Sequence, residues 1–239
     1  MGKKLLFILI LFTPFWGFSQ SLEADNYESE FIWGVNKNTA GGLIGGLVAR
    51  KSKRLSDRMY QSYGLELMNV KHERELRITS NQGGGQFIYG KSNYLYAIRL
   101  QYGRELVLFR KAPEQGVEIK AIGAIGPSIG LLTPYYISYY NDQGNSNLSY
   151  APYTPDVDIS KIYGSGRIFQ GLFESQVRIG ANLKAGLSFE LGSQKSHVTG
   201  FEVGFLLDAY AGEVELMPAY DNSSVFPTAF ITLFYGKRR

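Results

Sequence analysis

The chain has 239 residues, enough for one all-β barrel or two small domains, with 28 glycines, 14% aromatic and 19% charged residues, and no cysteine. This composition excludes disorder, coiled coil, a disulfide scaffold, a Cys-ligated zinc site and a thiol nucleophile. The 25 basic side chains outnumber 21 acidic ones, but Lys3 and Lys4 lie in the leader and the remaining margin is too thin for a phosphate-backbone surface, so nucleic acid is not an expected partner.

Residues 1–19 read as a signal peptide. Lys3 and Lys4 precede the apolar run Leu5 to Phe12, and Gly17-Phe18-Ser19 supplies small residues before a cut at Gln20. Pro14 interrupts a stretch too short for the ~30 Å hydrocarbon core, and no later run reaches the roughly 18 apolar residues of a spanning helix. No cysteine follows the cut to carry a lipid. Residues 20–239 are expected to form one domain, either a soluble exported barrel or a barrel in a membrane.

In chain order, eight segments alternate with a period of two. Glu30 to Lys37 places Phe31, Trp33 and Val35 on one face; Gly42 to Arg50 and Met59 to Val70 follow. Tyr94, Tyr96, Ile98, Leu100 and Tyr102 then oppose Leu95, Ala97, Arg99, Gln101 and Gly103, and Gly116 to Ile125 is the fifth. Ser175 to Leu191 is the clearest, with Val177, Ile179, Ala181, Leu183, Ala185, Leu187, Phe189 and Leu191 sharing a face that a 3.6-residue period cannot produce. Phe201, Val203, Phe205, Leu207 and Ala209 against Glu202 and Asp208, and then Phe226 to Tyr235, complete the set. The expected fold is an eight-stranded antiparallel up-and-down transmembrane β-barrel with both termini in the periplasm.

Three features favour a lipid-facing apolar side over a lipocalin-like interior. Glu66, Arg99, Glu118, Lys120, Arg178, Lys184, Glu190, Glu202 and Asp208 all fall opposite the apolar rows, four basic against five acidic groups suited to a neutralised interior. Long connections after the third and fifth strands, the latter spanning 127–173, alternate with short turns, as extracellular loops and periplasmic turns do. Trp33, Tyr94, Tyr102, Phe201, Tyr210, Phe234 and Tyr235 lie near strand ends, where interfacial girdles sit. The short turns and the C-terminus carry Lys51, Lys53, Arg54, Arg58, Arg110, Lys111, Lys195, Lys237, Arg238 and Arg239. That basic rim either anchors strand ends by snorkelling or meets an acidic partner or headgroups.

The Phe18-Ser19-Gln20 junction, the segments Gly64 to His72, Phe109 to Val117 and Thr199 to Tyr210, and the closing Phe226-Pro227-Thr228-Ala229-Phe230-Ile231-Thr232-Leu233-Phe234-Tyr235-Gly236-Lys237 resemble a family of small outer-membrane β-barrel proteins from Bacteroidota. The resemblance implies fold and an outer-membrane location. It brings no activity and no site residues.

No motif amounts to a catalytic constellation. His72 lies at the outer end of the third strand among Lys71, Glu73, Arg74 and Glu75, and His197 belongs to a turn on the opposite side. Asp156 with Asp158, and Asp142 with Asn145 and Asn147, are too loose for a metal set, and Gly41-Gly42 and Gly83-Gly84-Gly85 lack the strand-to-helix context of a phosphate cradle. No cofactor is expected, and eight strands leave no pore. The long loop carries Tyr135, Tyr136, Tyr139, Tyr140, Tyr150, Tyr153 and Tyr163, residues suited to partner recognition or to a lid over the barrel mouth. The expected function is a non-enzymatic accessory or structural subunit, partnered by outer-membrane lipids and other envelope proteins of the assembly, secretion or uptake machinery. A lipid A deacylase or acyltransferase and a soluble ligand carrier are the alternatives.

Overall fold

A computed structural model describes residues 27–41, 45–82, 85–110, 116–140, 148–167, 169–191 and 196–239. The expected leader, Gly42, Gly83, Gly84, Lys111, Asp142, Asn145, Asn147 and Lys195 lie outside the described residues. In chain order the strands are β1 Ser29–Asn38, β2 Gly46–Arg54, β3 Met59–Val70, β4 Arg77–Thr79, β5 Gln86–Ile88, β6 Asn93–Phe109, β7 Glu118–Pro134, β8 Tyr136–Tyr140, β9 Leu148–Pro152, β10 Ile162–Ser165, β11 Gln176–Glu190, β12 His197–Val214 and β13 Ser223–Arg238.

The eight long strands close a barrel in the order β1-β13-β12-β11-β7-β6-β3-β2. Each pairs antiparallel with its neighbours in the chain, and β13 closes on β1 through pairs such as Trp33 with Tyr235. Closure leaves no edge strand to template aggregation. The alternation decides which way each residue points: Phe31, Trp33 and Val35 are exposed while Glu30, Ile32 and Asn36, of the opposite parity, are buried. The same rule turns Leu65, Leu67, Leu100, Ile125, Ile129, Ile179, Leu183, Phe205, Leu207, Ile231 and Leu233 outward.

Several strand limits differ from the expected ones: β6, β12 and β13 run on to Phe109, Val214 and Arg238, and two others shift at glycine or proline. β2 starts at Gly46 and runs to Arg54, because the glycines before it belong to the connection. β7 passes through Pro127 to Pro134. Pro127 has no N–H to give, and the β6–β7 ladder skips Gly126 and Pro127 between Arg99↔Ser128 and Tyr102↔Ile125. From inside the barrel the Asn182 amide donates to the carbonyls of Gly126 (3.0 Å) and Pro127 (3.1 Å), satisfying groups the ladder leaves free.

The expected 127–173 loop is therefore shorter, 135–175, and its described residues are folded. β8, β9 and β10 form a three-stranded sheet in the order β10-β8-β9, and β4 with β5 forms a hairpin in the connection after β3. Phe87, Ile88, Tyr135, Ile137, Tyr153 and Ile162 give this cap its own core. Inside the barrel beneath it, Val48, Met68, Val70, Leu95, Leu132 and Tyr210 pack with Leu216 and Met217 from the β12–β13 connection. Gly130 and Gly180 make room for the Tyr210 ring, since a Cβ on either would come within 2.8 Å of it.

Candidate functional site

Below the apolar layer the barrel interior is ionic. Arg99 Nε donates to both oxygens of Asp208 at 3.0 Å, and Ser128 Oγ donates to Asp208 at 2.9 Å. Arg99 Nη1 lies 3.3 Å from Glu66, whose other oxygen accepts from Lys184 Nζ at 2.6 Å. Lys184 continues to Glu202 at 2.9 Å, Glu202 to Arg50 at 2.6 Å, and Arg50 to Glu105 at 3.1 Å. Nearer the turns, Arg238 meets Glu30 at 2.7 Å, Glu118 at 3.1 Å and Glu190 at 2.8 Å, while Lys120 reaches Glu30 and Glu118 at 3.3 Å. Tyr27 closes this end: its ring stacks on Tyr60 at 4.7 Å and lies under the Arg238 guanidinium at 3.9 Å.

Five cations thus bridge seven carboxylates among the described residues, each cation serving more than one acid. Of the nine residues expected to face inward, eight are buried. Arg178 is half-buried at the loop-side mouth, 3.4 Å from Gln176 Oε1 and in no ion pair among the described residues. Glu30, Arg50, Glu105 and Arg238 join the network without having been singled out from the sequence. Glu30 and Arg50 fall inside the expected strands, though the glycines before Arg50 blur the two faces there, whereas Glu105 and Arg238 lie beyond the expected ends of theirs, which run on to Phe109 and Arg238. Arg238 was placed on the basic rim; the structure turns its side chain inward with 4% exposure, because β13 extends to that residue. Lys51, Lys53, Arg58, Arg110, Lys237 and Arg239 remain exposed at the turn end.

The outer wall is apolar over its mid-height, and an aromatic belt marks the turn end, where Trp33 meets Tyr235 at 6.3 Å and Tyr63 meets Tyr102 at 5.5 Å. Tyr210 and Phe234, counted in the girdle from sequence, instead point inward and are buried. Tyr94 faces outward but packs under the cap, 5.3 Å from Tyr135.

At the cap the seven tyrosines divide. Tyr135 and Tyr153 are core: the Tyr135 hydroxyl accepts from the Ile88 N–H at 2.9 Å and pairs with Ser165 Oγ at 2.8 Å. Tyr136, Tyr139, Tyr140 and Tyr163 are half-exposed and Tyr150 is exposed. The Tyr136 hydroxyl donates to Glu174 at 2.8 Å, which holds that phenol above its usual pKa. Lys91 is fully buried against Glu75 with its ammonium 4.4 Å from the Tyr94 ring centre, and burial lowers its pKa to about 8.

His72 is held by backbone. Its Nδ1 accepts from the Arg74 N–H at 3.1 Å, so Nε2 carries the proton toward the Asp221 carbonyl at 3.1 Å. No hydroxyl or carboxylate is hydrogen-bonded to this ring among the described residues. His197 pairs with Ser196 and lies 5.9 Å from the Tyr235 ring, at the turn end. Asp158 caps a short 3₁₀ turn through Ser160, and those hydrogen bonds lower its pKa. Among the described residues no group of three potential ligands could hold a metal ion.

Clefts open at the cap among the described residues. One, about 750 Å³, lies between the 71–77 segment and the β12–β13 connection and includes His72, Tyr220 and Asp221. Another, about 520 Å³, lies between the tops of β3 and β6 and the 165–170 segment.

No family model and no curated protein matches the chain. Among solved structures it is similar to Ail, the attachment invasion locus protein of Yersinia pestis, at 10% identity over 90% of this chain and 99% of that one, with a TM-score of 0.42. Ail in complex with the heparin analogue sucrose octasulfate matches at 9% identity over 88% and 96%, TM-score 0.41. Neisserial surface protein A matches at 9% identity over 88% and 96%, TM-score 0.38.

Proposed function

We propose that the chain is an integral outer-membrane barrel without chemistry of its own, an accessory or structural subunit that presents its folded cap to other envelope components. The observation that supports this is the inversion of polarity across the wall. Ion pairs fill the inside, while large aliphatic and aromatic side chains cover the outside. In water that outside is a contiguous apolar patch far above the few hundred Å² tolerated by a soluble monomer, and in lipid it is the required surface. The alternation of short turns with the capped connections supports placing the turns and both termini in the periplasm. The ionic interior supports a closed barrel rather than a channel. His72, bonded to backbone on both nitrogens, lends no support to a lipid-modifying enzyme, which needs a base within reach of a nucleophile.

Single cysteines at positions 179, 183, 203 and 207 test the membrane reading. Protection from a water-soluble maleimide in intact outer membranes is expected, and free labelling of these wall positions overturns the reading. Co-purification in mild detergent at native expression tests the subunit role, which recovery of the barrel by itself overturns.

A further inference from the structure

The smaller cleft, about 520 Å³, sits on the outside of the barrel, at the height where the wall gives way to the cap. Its floor is made by Asn69 and Tyr96, a register pair of β3 and β6 that faces outward directly above the apolar pair Leu67 and Ile98. Aromatic side walls come from Tyr94, Tyr136 and Phe169. Phe169 adopts φ 62°, uncommon for a bulky side chain, and its largely exposed ring lies 6.1 Å from that of Tyr96.

Lys71, Arg77 and Arg167 line the cleft, and no carboxylate does. None of the three is in an ion pair among the described residues; Arg167 rests over the Tyr150 ring at 5.2 Å. The nearby acids do not line the cavity: Glu174 receives the Tyr136 hydroxyl and Glu75 is paired with Lys91, while Lys71 and Arg77 also border the larger cleft, which Glu73, Glu75 and Asp221 line. The floor also holds Asn69 Oδ1, buried with no hydrogen-bond donor among the described residues, an acceptor left for a hydroxyl or amine. Three cations in no ion pair among the described residues, beside an aromatic wall, are complementary to a phosphate on a polar headgroup. The apolar rows immediately beneath are complementary to acyl chains.

We propose that this cleft seats the phosphorylated headgroup of an outer-leaflet lipid, with the acyl chains lying down the β3–β6 face. The proposal rests on the membrane reading above, because the chains need a lipid-facing wall. A free phosphate would satisfy the cations but leave Tyr96, Phe169 and the rows below unused.

The folded protein in neutral detergent is offered phosphatidic acid or monogalactosyl diacylglycerol with the same acyl chains, and retained lipid is counted by native mass spectrometry. Phosphatidic acid is expected to be retained roughly tenfold better, and the variant Lys71→Gln/Arg77→Gln/Arg167→Gln is expected to lose that preference while keeping its heat-modifiable gel shift. Equal retention of the two lipids by the parent chain, or full preference in the folded triple variant, overturns the proposal. Displacement of phosphatidic acid by an equal concentration of inorganic phosphate overturns the lipid as the source. A folded, detergent-dependent barrel without lipid preference defeats this inference and leaves the membrane reading standing. A chain that stays folded and monomeric after detergent removal defeats both.

Discussion

Arg99 and Asp208, 109 residues apart in the chain, meet across the barrel interior with one guanidinium nitrogen 3.0 Å from both carboxylate oxygens. β6 and β12 are not adjacent in the barrel, so this pair fixes the spacing of strands that no backbone hydrogen bond joins. A buried pair is retained at a high desolvation cost, and removing one member leaves the other charge uncompensated.

Asp208→Asn is therefore expected to destabilise the barrel by about 3–5 kcal/mol, read from the urea midpoint of the heat-modifiable gel shift. The double replacement Arg99→Met/Asp208→Leu is expected to recover most of that loss, since it removes both charges together. A double variant as weak as the single one would contradict the pairing.

Arg238 and Lys237 are chain neighbours on opposite faces of β13. Arg238 holds Glu30, Glu118 and Glu190 inside the barrel, whereas Lys237 is exposed. Arg238→Gln should cost about 3 kcal/mol or more and slow closure of β13 on β1, while Lys237→Gln should stay within about 0.5 kcal/mol. Parallel refolding assays of the two variants check this asymmetry.

Tyr135 ties the hairpin β4–β5 to the three-stranded sheet through its hydroxyl. Tyr135→Phe leaves the buried Ile88 N–H without its acceptor, a loss of about 1–3 kcal/mol confined to the cap. Faster proteolysis within 135–175 with an unchanged barrel gel shift is the expected result. Tyr150→Phe, at an exposed position, should leave the proteolysis rate unaltered.

Lys91 gives the cap a pH dependence. Its folded pKa, about 8, lies below the value 10.5 of a free lysine, so between those limits the opened cap binds more protons than the closed one. Cap stability from this group accordingly rises with pH through that window, the reverse of a lysine stabilised by its partner. Above about pH 10 unfolded tyrosines lose protons that buried Tyr135 and Tyr153 keep, which opposes the trend, so the measurement belongs between about pH 8 and 9.5. Hydrogen exchange of residues 85–92 is expected to slow relative to the intrinsic rate as pH rises in this range, and Lys91→Met to abolish the slope.

The sequence by itself determined the strands and the direction each side chain takes, because a period of two assigns every residue to one face regardless of what lies beyond it. β3 was legible to the residue and β11 to within one residue of each end, as Val177 to Leu191 alternates without a break. Where glycine or proline interrupts the alternation, as at Gly46 and Pro127, the pattern blurs, and with it the inward face of Arg50 and the reach of β7. Only the tertiary structure decided which inward charges meet. Arg99 finds Asp208 and Arg238 finds three acids because closure brings distant strands to one axis, a distance that no local pattern encodes. The cap was likewise hidden: Tyr135 and Tyr150 share one tyrosine-rich stretch, and burial against Phe87 and Ile162 separates a core residue from a surface one.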